Sequence, residues 1–516
     1  MAQTTQPEFS KWRARLWPVH NFELKKLVPM LLLFFLIVFN YTILRDTKDT
    51  LIVTAPNSGA ETITFLKVWG VLPMATLFML GYAKLSNILS KQKLFYTTVS
   101  VFIGFFALFN FVLYPYQHLL HPNELADRLQ QTLPNGCMGL IAIFRNWTYS
   151  LFYIMSELWG SMAVSLLFWG FANDITKVSE SKRFYSLFGT GANFALLLSG
   201  PTIVFFSKIR DKIPAGIDAW QVTLNYLMSF VIIAGLLIMG IYWWMDKNVL
   251  TDPRFYKQED ISSKKKKKPK LSLKESFSFL IRSKYIGYIA ILVIAYGIAM
   301  NLIEVTWKGQ LKLQYPNSND YSAFMGYFST FGGIINVFTS LFIGGNIIRR
   351  FGWGKAALIT PVMILATGVA FFSFIIFRDS LGGMIGLLGT TPLFLAVIIG
   401  MIQNILSKSA KYALFDPTKE MAYIPLDQES KIKGKAAIDV VGARLGKSGG
   451  ALIQQGLIVS LGSLAAITPY IAVILFIIIG GWILSAKALN KEFTILSAKE
   501  DTKATKDQPE PALANS

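Results

Sequence analysis

The sequence predicts an all-α integral membrane protein of about twelve transmembrane helices in two six-helix halves, a major-facilitator-like arrangement. Three observations carry that prediction. The 516 residues are 53% hydrophobic and only 16% charged, with a mean hydropathy of +0.46, as in polytopic membrane proteins. Apolar runs recur at lengths that cross ~30 Å of hydrocarbon as helices, without the alternation of barrel strands. One polar stretch, DKNVLTDPRFYKQEDISSKKKKKPKLSLKE, parts these runs into two sets.

The first set places spans near 27–44, 62–84, 95–115, 141–172, 184–207 and 221–245. The second places them near 284–307, 322–346, 355–377, 384–407, 435–461 and 467–486. The domain reading is a cytoplasmic N-terminal tail (1–26), an N-terminal half (27–245), a basic linker (246–283), a C-terminal half (284–487) and a disordered tail (488–516). Faint internal repeats agree with two halves. KRFYSLFG (182–189) resembles KAAIDVVG (435–442), and NYTILRDTKDTL (40–51) matches NLIEVTWKGQL (301–311) in position.

Loop charge orients the chain. Lys and Arg gather in the N-terminal tail, at Lys84, Lys91 and Lys93, at Lys177, Lys182 and Arg183, in the linker, at Arg349, Arg350 and Lys355, and at Lys408 and Lys435. By the positive-inside rule these loops and both termini are cytoplasmic. Lys208, Arg210 and Lys212 are an exception on the opposite side. The N-terminal tail has no small-residue cleavage site and reads as retained.

The net charge of +20 is spread over such loops, so it indicates topology rather than nucleic-acid binding. One cysteine, Cys137, leaves no intramolecular disulfide or cysteine metal site, and the histidines all fall outside the spans. No Walker A, GxSxG or HExxH string is present. Neither an enzyme nor a cofactor or metal is expected.

Ionisable residues inside apolar runs are the informative ones. A charge at the bilayer centre costs roughly 2.5–3.5 kcal/mol even on the mildest scale, so it faces a partner or a wet cavity. Glu157 sits within the fourth span, and Arg145 lies three turns earlier on about the same face, too far for direct pairing but placed to address another part of one lumen. Glu304 falls toward the outer end of the seventh span, where an interfacial carboxylate is the plainer reading. Lys67 opens the second span and could reach the interface by snorkelling. Arg444 and Lys447 share a face of the eleventh span ahead of Gly449 and Gly450, a combination that suits phosphate and equally suits small-residue packing. Arg45, Asp46, Lys48 and Asp49 close the first span, as a gate or as a salt-bridged cap at the outer interface. In KYALFDPTKEMAYIPLD (411–427), Pro417 and Pro425 limit helix and favour a structured cytoplasmic loop. Several cations and two acids in one pathway fit a multiply anionic substrate.

Longer strings make a resemblance specific. LRDTKDTLIVTAPNSGAE, SELWGSMAVSLLFWGFANDIT, NLIEVTWK, FDPTKEMAYIPLD and KIKGKAAIDVVGARLGKSGGA resemble the plastid, chlamydial and rickettsial ATP/ADP translocases, the nucleotide transporter family, from about residue 20 to about 490. The resemblance implies exchange of external ATP for internal ADP, with or without phosphate, in the inner membrane of an intracellular bacterium. It also leaves open a proton-coupled nucleotide importer or an exchanger of other nucleotides. It points to Lys67, Glu157, Glu304 and Lys447 as the functional intramembrane charges. The expected partners are ATP, ADP and the lipid bilayer, with the chain acting as a monomer.

Overall fold

The computed structural model describes residues 19–252 and 283–506, apart from 177, 215 and scattered positions between 428 and 441. Twelve long helices run through the described residues. The first half comprises α1 (Leu24–Thr54), α2 (Glu61–Ile88), α3 (Lys91–Leu113), α4 (Trp147–Ile175), α5 (Val178–Ser207) and α6 (Ala219–Asn248). The second comprises α7 (Lys284–Gln314), α8 (Ser318–Phe338), α9 (Gly344–Ile376), α10 (Pro392–Ala422), α11 (Ala443–Leu461) and α12 (Leu464–Lys506).

Short polar side chains start several of these helices by accepting otherwise unpaired N–H groups. Ser90 caps α3, Asp218 caps α6, Ser283 caps α7, Asn317 caps α8 and Thr391 caps α10. Among the described residues, ten helices are long and apolar enough to cross a membrane. The other two, α8 and α11, carry SNDYS, STFGG and ARLGKSGG, because they pack through glycine and polar faces. A Cβ on Gly297 of α7 would stand 2.7 Å from the Cα of Gly446 on α11. On α8, a Cβ at Gly326 would stand 2.8 Å from the carbonyl oxygen of Gly200 on α5.

Several boundaries differ from the sequence expectation. The first helix continues ten residues past 44, to Thr54, carrying Arg45–Asp49 into the bundle rather than capping it. The fourth breaks at Asn146 (φ −101°, ψ 46°), so Arg145 closes a separate short helix, Met138–Arg145. The tenth runs to Ala422 through Pro417, and a π-helical turn at Lys411–Phe415 takes up the proline's misfit with the preceding turn. Gly352 (φ 77°, ψ 172°) breaks α9 near its start. The tail expected to be disordered from 488 is helical as far as Lys506. Most of the basic linker (253–282) and the first eighteen residues lie outside the described residues. The end of the expected N-terminal tail is packed, with Arg183 on Glu23 at 2.6 Å and Lys26 on Glu180 at 2.7 Å.

Polar contacts between the halves gather at the span ends remote from the termini. Thr54 meets Ser318 at 2.8 Å, Ser207 meets Ser322 at 2.9 Å, and Asn319 donates to the carbonyl of Ser207 and to Thr223. Arg210 pairs with Asp320 at 2.7 Å, and the Lys312 ammonium donates to the carbonyl of Ser58. The bundle is therefore closed at that end.

Candidate functional site

Five charged side chains from three helices form one chain across the bundle. Glu157 of α4 accepts Lys48 of α1 at 2.9 Å. Lys48 also holds Asp49 at 2.9 Å. The other Asp49 oxygen binds Lys308 of α7 at 2.7 Å, and Lys308 returns to Glu304 one turn earlier at 3.1 Å. The link between Asp49 and Lys308 joins the two halves.

The helix period explains the geometry. Lys48 and Asp49 are adjacent, so they diverge by about 100° and face α4 and α7 respectively. Glu304 and Lys308 are four apart and share a face. The middle of the chain is buried: Lys48, Asp49 and Lys308 have side chains no more than 3% exposed. Its ends are wet, with Glu157 36% and Glu304 25% exposed. Such a pattern holds buried charges in mutual neutralisation while presenting carboxylates to a lumen. The ammonium of Lys48 also lies 3.8 Å from the centroid of the Tyr153 ring.

A second cluster sits beside it. Arg45 pairs with Asp46 at 2.9 Å and donates to Ser329 of α8 at 2.6 Å, while Ser329 donates to the other Asp46 oxygen. Arg45 and Lys408 both approach the Phe328 ring, at 6.0 and 4.9 Å.

Lys67 and Lys408 complete the site. Neither forms an ion pair among the described residues, and both are only part-buried. Lys67 feels the carboxylates of Glu304 and Glu157, and Lys408 feels Glu304. The site thus sets five cations (Arg45, Lys48, Lys67, Lys308, Lys408) against four carboxylates (Asp46, Asp49, Glu157, Glu304). Lys67 lies in the π-helical stretch Leu66–Val71, Glu157 precedes the one at Gly160–Phe168, and Lys408 precedes the one at Lys411–Phe415. Interruptions of this kind recur at functional sites because they re-aim side chains from an otherwise regular helix.

Among the residues singled out from sequence, the structure brings Arg45, Asp46, Lys48, Glu157, Glu304 and Lys67 together. The Lys67 and Glu304 side chains serve this interior rather than the membrane interface. Arg145 is elsewhere: it is buried in the first half against Asp127 at 2.5 Å and Gln130 at 3.1 Å. The shared face with Glu157 required a continuous helix, and Asn146 breaks it. Arg444 and Lys447 have exposed side chains and no ion pair among the described residues. Their neighbours Gly446 and Gly450 pack on α7, where Asn301 donates to the carbonyl of Lys447 at 2.9 Å.

From sequence, neither Lys308 nor Lys408 is singled out as a site residue, and Asp49 is expected to pair within a local cap rather than across the halves with Lys308. The i, i+4 spacing of Glu304 and Lys308 was a usable signal. Lys408 falls one residue past the apolar run that marks the tenth span, so loop charge places it in a cytoplasmic loop, whereas the helix continues through it to Ala422.

Comparison with known proteins agrees with this architecture. The family model described as "TLC ATP/ADP transporter" matches residues 2–493. The chain is 62% identical to ADP,ATP carrier protein 1 of Chlamydia muridarum over 97% of its own length and 94% of that protein's. It is 55% identical to the chloroplastic ADP,ATP carrier protein 2 of Arabidopsis thaliana over 93% of its own length and 76% of that protein's. Among solved structures, an inward-facing bacterial homologue of the iron transporter ferroportin superposes with a TM-score of 0.55 at 12% identity, covering 92% of this chain and all of that one. That likeness bears on the fold alone.

Proposed function

The chain belongs to the TLC ATP/ADP transporter family, and from that premise we propose that it is an antiporter of a bacterial inner membrane that imports host ATP in exchange for ADP. The observation that carries the mechanism is the chain Glu157–Lys48–Asp49–Lys308–Glu304, with Lys67 and Lys408 beside it and uncommitted to any acid.

Nucleotide phosphates are multiply anionic, and Lys67 and Lys408 are the cations with spare capacity to receive them. Arg444 and Lys447, the exposed cations of α11, hold phosphate on the way to or from that site. Once phosphate is in place, it competes with Asp49 and the glutamates for Lys48 and Lys308. The Asp49–Lys308 link between the halves then weakens, and the closed end is free to part as the halves rock. Without nucleotide, the same step leaves buried charges unpaired, at a cost of about 3–5 kcal/mol. The unloaded protein therefore stays in place, and exchange is obligatory. A ligand drives such a step only through its different affinity for the two states.

One chain supplies both halves and every charge in this chain of pairs, which supports a working monomer. Twelve crossings put both termini on one side, and loop charge makes that side cytoplasmic. Phosphate accompanying ADP would balance the charge difference from ATP.

The test is uptake of labelled ATP into proteoliposomes, preloaded with ADP or unloaded. Uptake that requires internal ADP supports the antiporter. Uptake into unloaded vesicles driven by a pH gradient would replace it with a proton-coupled importer, and no uptake by folded protein would remove the substrate.

A further inference from the structure

Lys208, Arg210 and Lys212 break the positive-inside pattern, and the charge pathway makes no use of them. Arg210 has an evident role in the closed end, through Asp320. The two lysines do not: among the described residues neither forms an ion pair, and both are exposed.

Both lysines line a cavity of about 400 Å3 between the halves. Below them on α5, its wall is Pro201, Val204 and Phe205. Across it on α8 stand Tyr327 and Thr330. The ammonium of Lys208 lies 5.4 Å from the Tyr327 ring centroid, reaching from one half to the other. Just beneath is the Gly200–Gly326 crossing, where the backbones of α5 and α8 leave no room for a Cβ.

The cavity faces away from the pathway. Ser329 of α8 points into the pathway, onto Arg45 and Asp46. Tyr327, Phe331 and Phe338 lie roughly half a turn of helix away from it, by about 100° per residue. They and Phe205 are exposed apolar surface, Phe205 at 66%. In a membrane-spanning chain such a face meets acyl chains. The lysines stand at the end of the span, at headgroup level.

We propose that this groove binds an anionic phospholipid of the leaflet remote from the termini. One acyl chain would lie along Pro201, Val204 and Phe205, with the phosphate held by Lys208, Lys212 and the Tyr327 hydroxyl. Charge complementarity selects the occupant. Of the two acids beside them, Asp320 is held by Arg210 and Asp211 is a single exposed carboxylate, so Lys208, Arg210 and Lys212 leave the mouth of the apolar groove with a net positive charge. That suits a lipid phosphate with net negative charge, whereas a zwitterionic headgroup brings its own cation. The alkyl stems of both lysines can lie on the apolar wall while their ammonium groups stay at the interface. The groove takes its two walls from different halves, so it is complete only while the remote end is closed. A lipid bound there stabilises that state over the one in which the ends part. This last step rests on the alternating-access reading, whereas lipid binding itself does not.

The experiment compares full-length protein in phosphatidylcholine nanodiscs with and without phosphatidylglycerol, by thermal unfolding and by native mass spectrometry of retained lipid. The expected result is one tightly retained phosphatidylglycerol per chain and a higher melting temperature. The variant K208Q/K212Q should retain it about thirtyfold more weakly and lose the thermal shift, while K208R/K212R and the exposed-lysine control K84Q keep both. Equal melting of wild type and K208Q/K212Q in pure phosphatidylcholine establishes that the variant folds. Retention unchanged in K208Q/K212Q, or no preference for phosphatidylglycerol over phosphatidylcholine, overturns the proposal. Displacement of the lipid by inorganic phosphate overturns the lipid as occupant. Transport lost with lipid retention intact would separate failure of the antiporter reading from failure of this one.

Discussion

Asp49 of α1 and Lys308 of α7 stand 2.7 Å apart, both almost wholly buried, and this ion pair joins the two halves at the centre of the charge chain. Each has a further partner, Lys48 for Asp49 and Glu304 for Lys308. Removing one carboxylate therefore leaves two lysines short of charge. Asp49→Asn is expected to abolish exchange and to destabilise the protein by about 3–5 kcal/mol. The double variant Asp49→Asn/Lys308→Gln should recover part of the stability, because the charge balance is restored: Lys48 keeps Glu157, and Glu304, which loses Lys308, is 25% exposed and can be solvated. A double-mutant cycle on thermal unfolding measures the coupling, and additive effects would show that the pair is not a unit.

Lys67 and Arg145 looked alike in the sequence and differ in the structure. Lys67→Gln removes an uncommitted cation from the lumen and should raise the KM for ATP about tenfold or more, as loss of a charged hydrogen bond would. Arg145→Gln breaks a contact to Asp127 and Gln130 inside one half. It should lower the melting temperature and leave KM unchanged. Nucleotide titration of transport rates separates the two, and a KM change in Arg145→Gln would return that residue to the pathway.

The crossing of α7 and α11 admits no side chain at Gly297, where a Cβ would meet Gly446 backbone at 2.7 and 2.8 Å. Gly297→Ala should destabilise by about 1–3 kcal/mol, as overpacking does. At Gly456 of the same α11 a Cβ meets nothing within 4 Å, so Gly456→Ala should be tolerated. Melting temperatures in one detergent give the comparison.

His121, in the loop before α4, supplies a pH dependence outside the spans. Its Nε2 lies 2.7 Å from the Thr148 hydroxyl, its ring meets Tyr149 edge-on, and burial holds its pKa below the usual histidine range. The unfolded chain binds this proton more readily, so stability is lost as pH falls below about 6.5, toward the folded-state value. Above that range His121 contributes no slope. The difference in melting temperature between wild type and His121→Gln should therefore vary below pH 6.5 and be constant above it.

Much of the site was legible because energetics confines it. Glu157, Glu304 and Lys67 stand out in apolar runs, where an ionised group needs a partner or water. Hydropathy could not fix their context. It ended the first helix at 44, although polar residues continue a buried helix when they pair with one another. It ended the tenth before Lys408, although a π-helical turn carries that helix through Pro417.

A helical membrane protein in two halves follows from apolar length and composition, which leave few other structures in a bilayer, and long specific strings identify its family. Which charges meet follows from helix packing. Asp49 and Lys308 are 259 positions apart, and nothing local pairs them. Their contact exists because α1 and α7 meet within the bundle, and that meeting made one ion-pair chain of residues that looked like a cap, a mid-span acid and an interfacial acid.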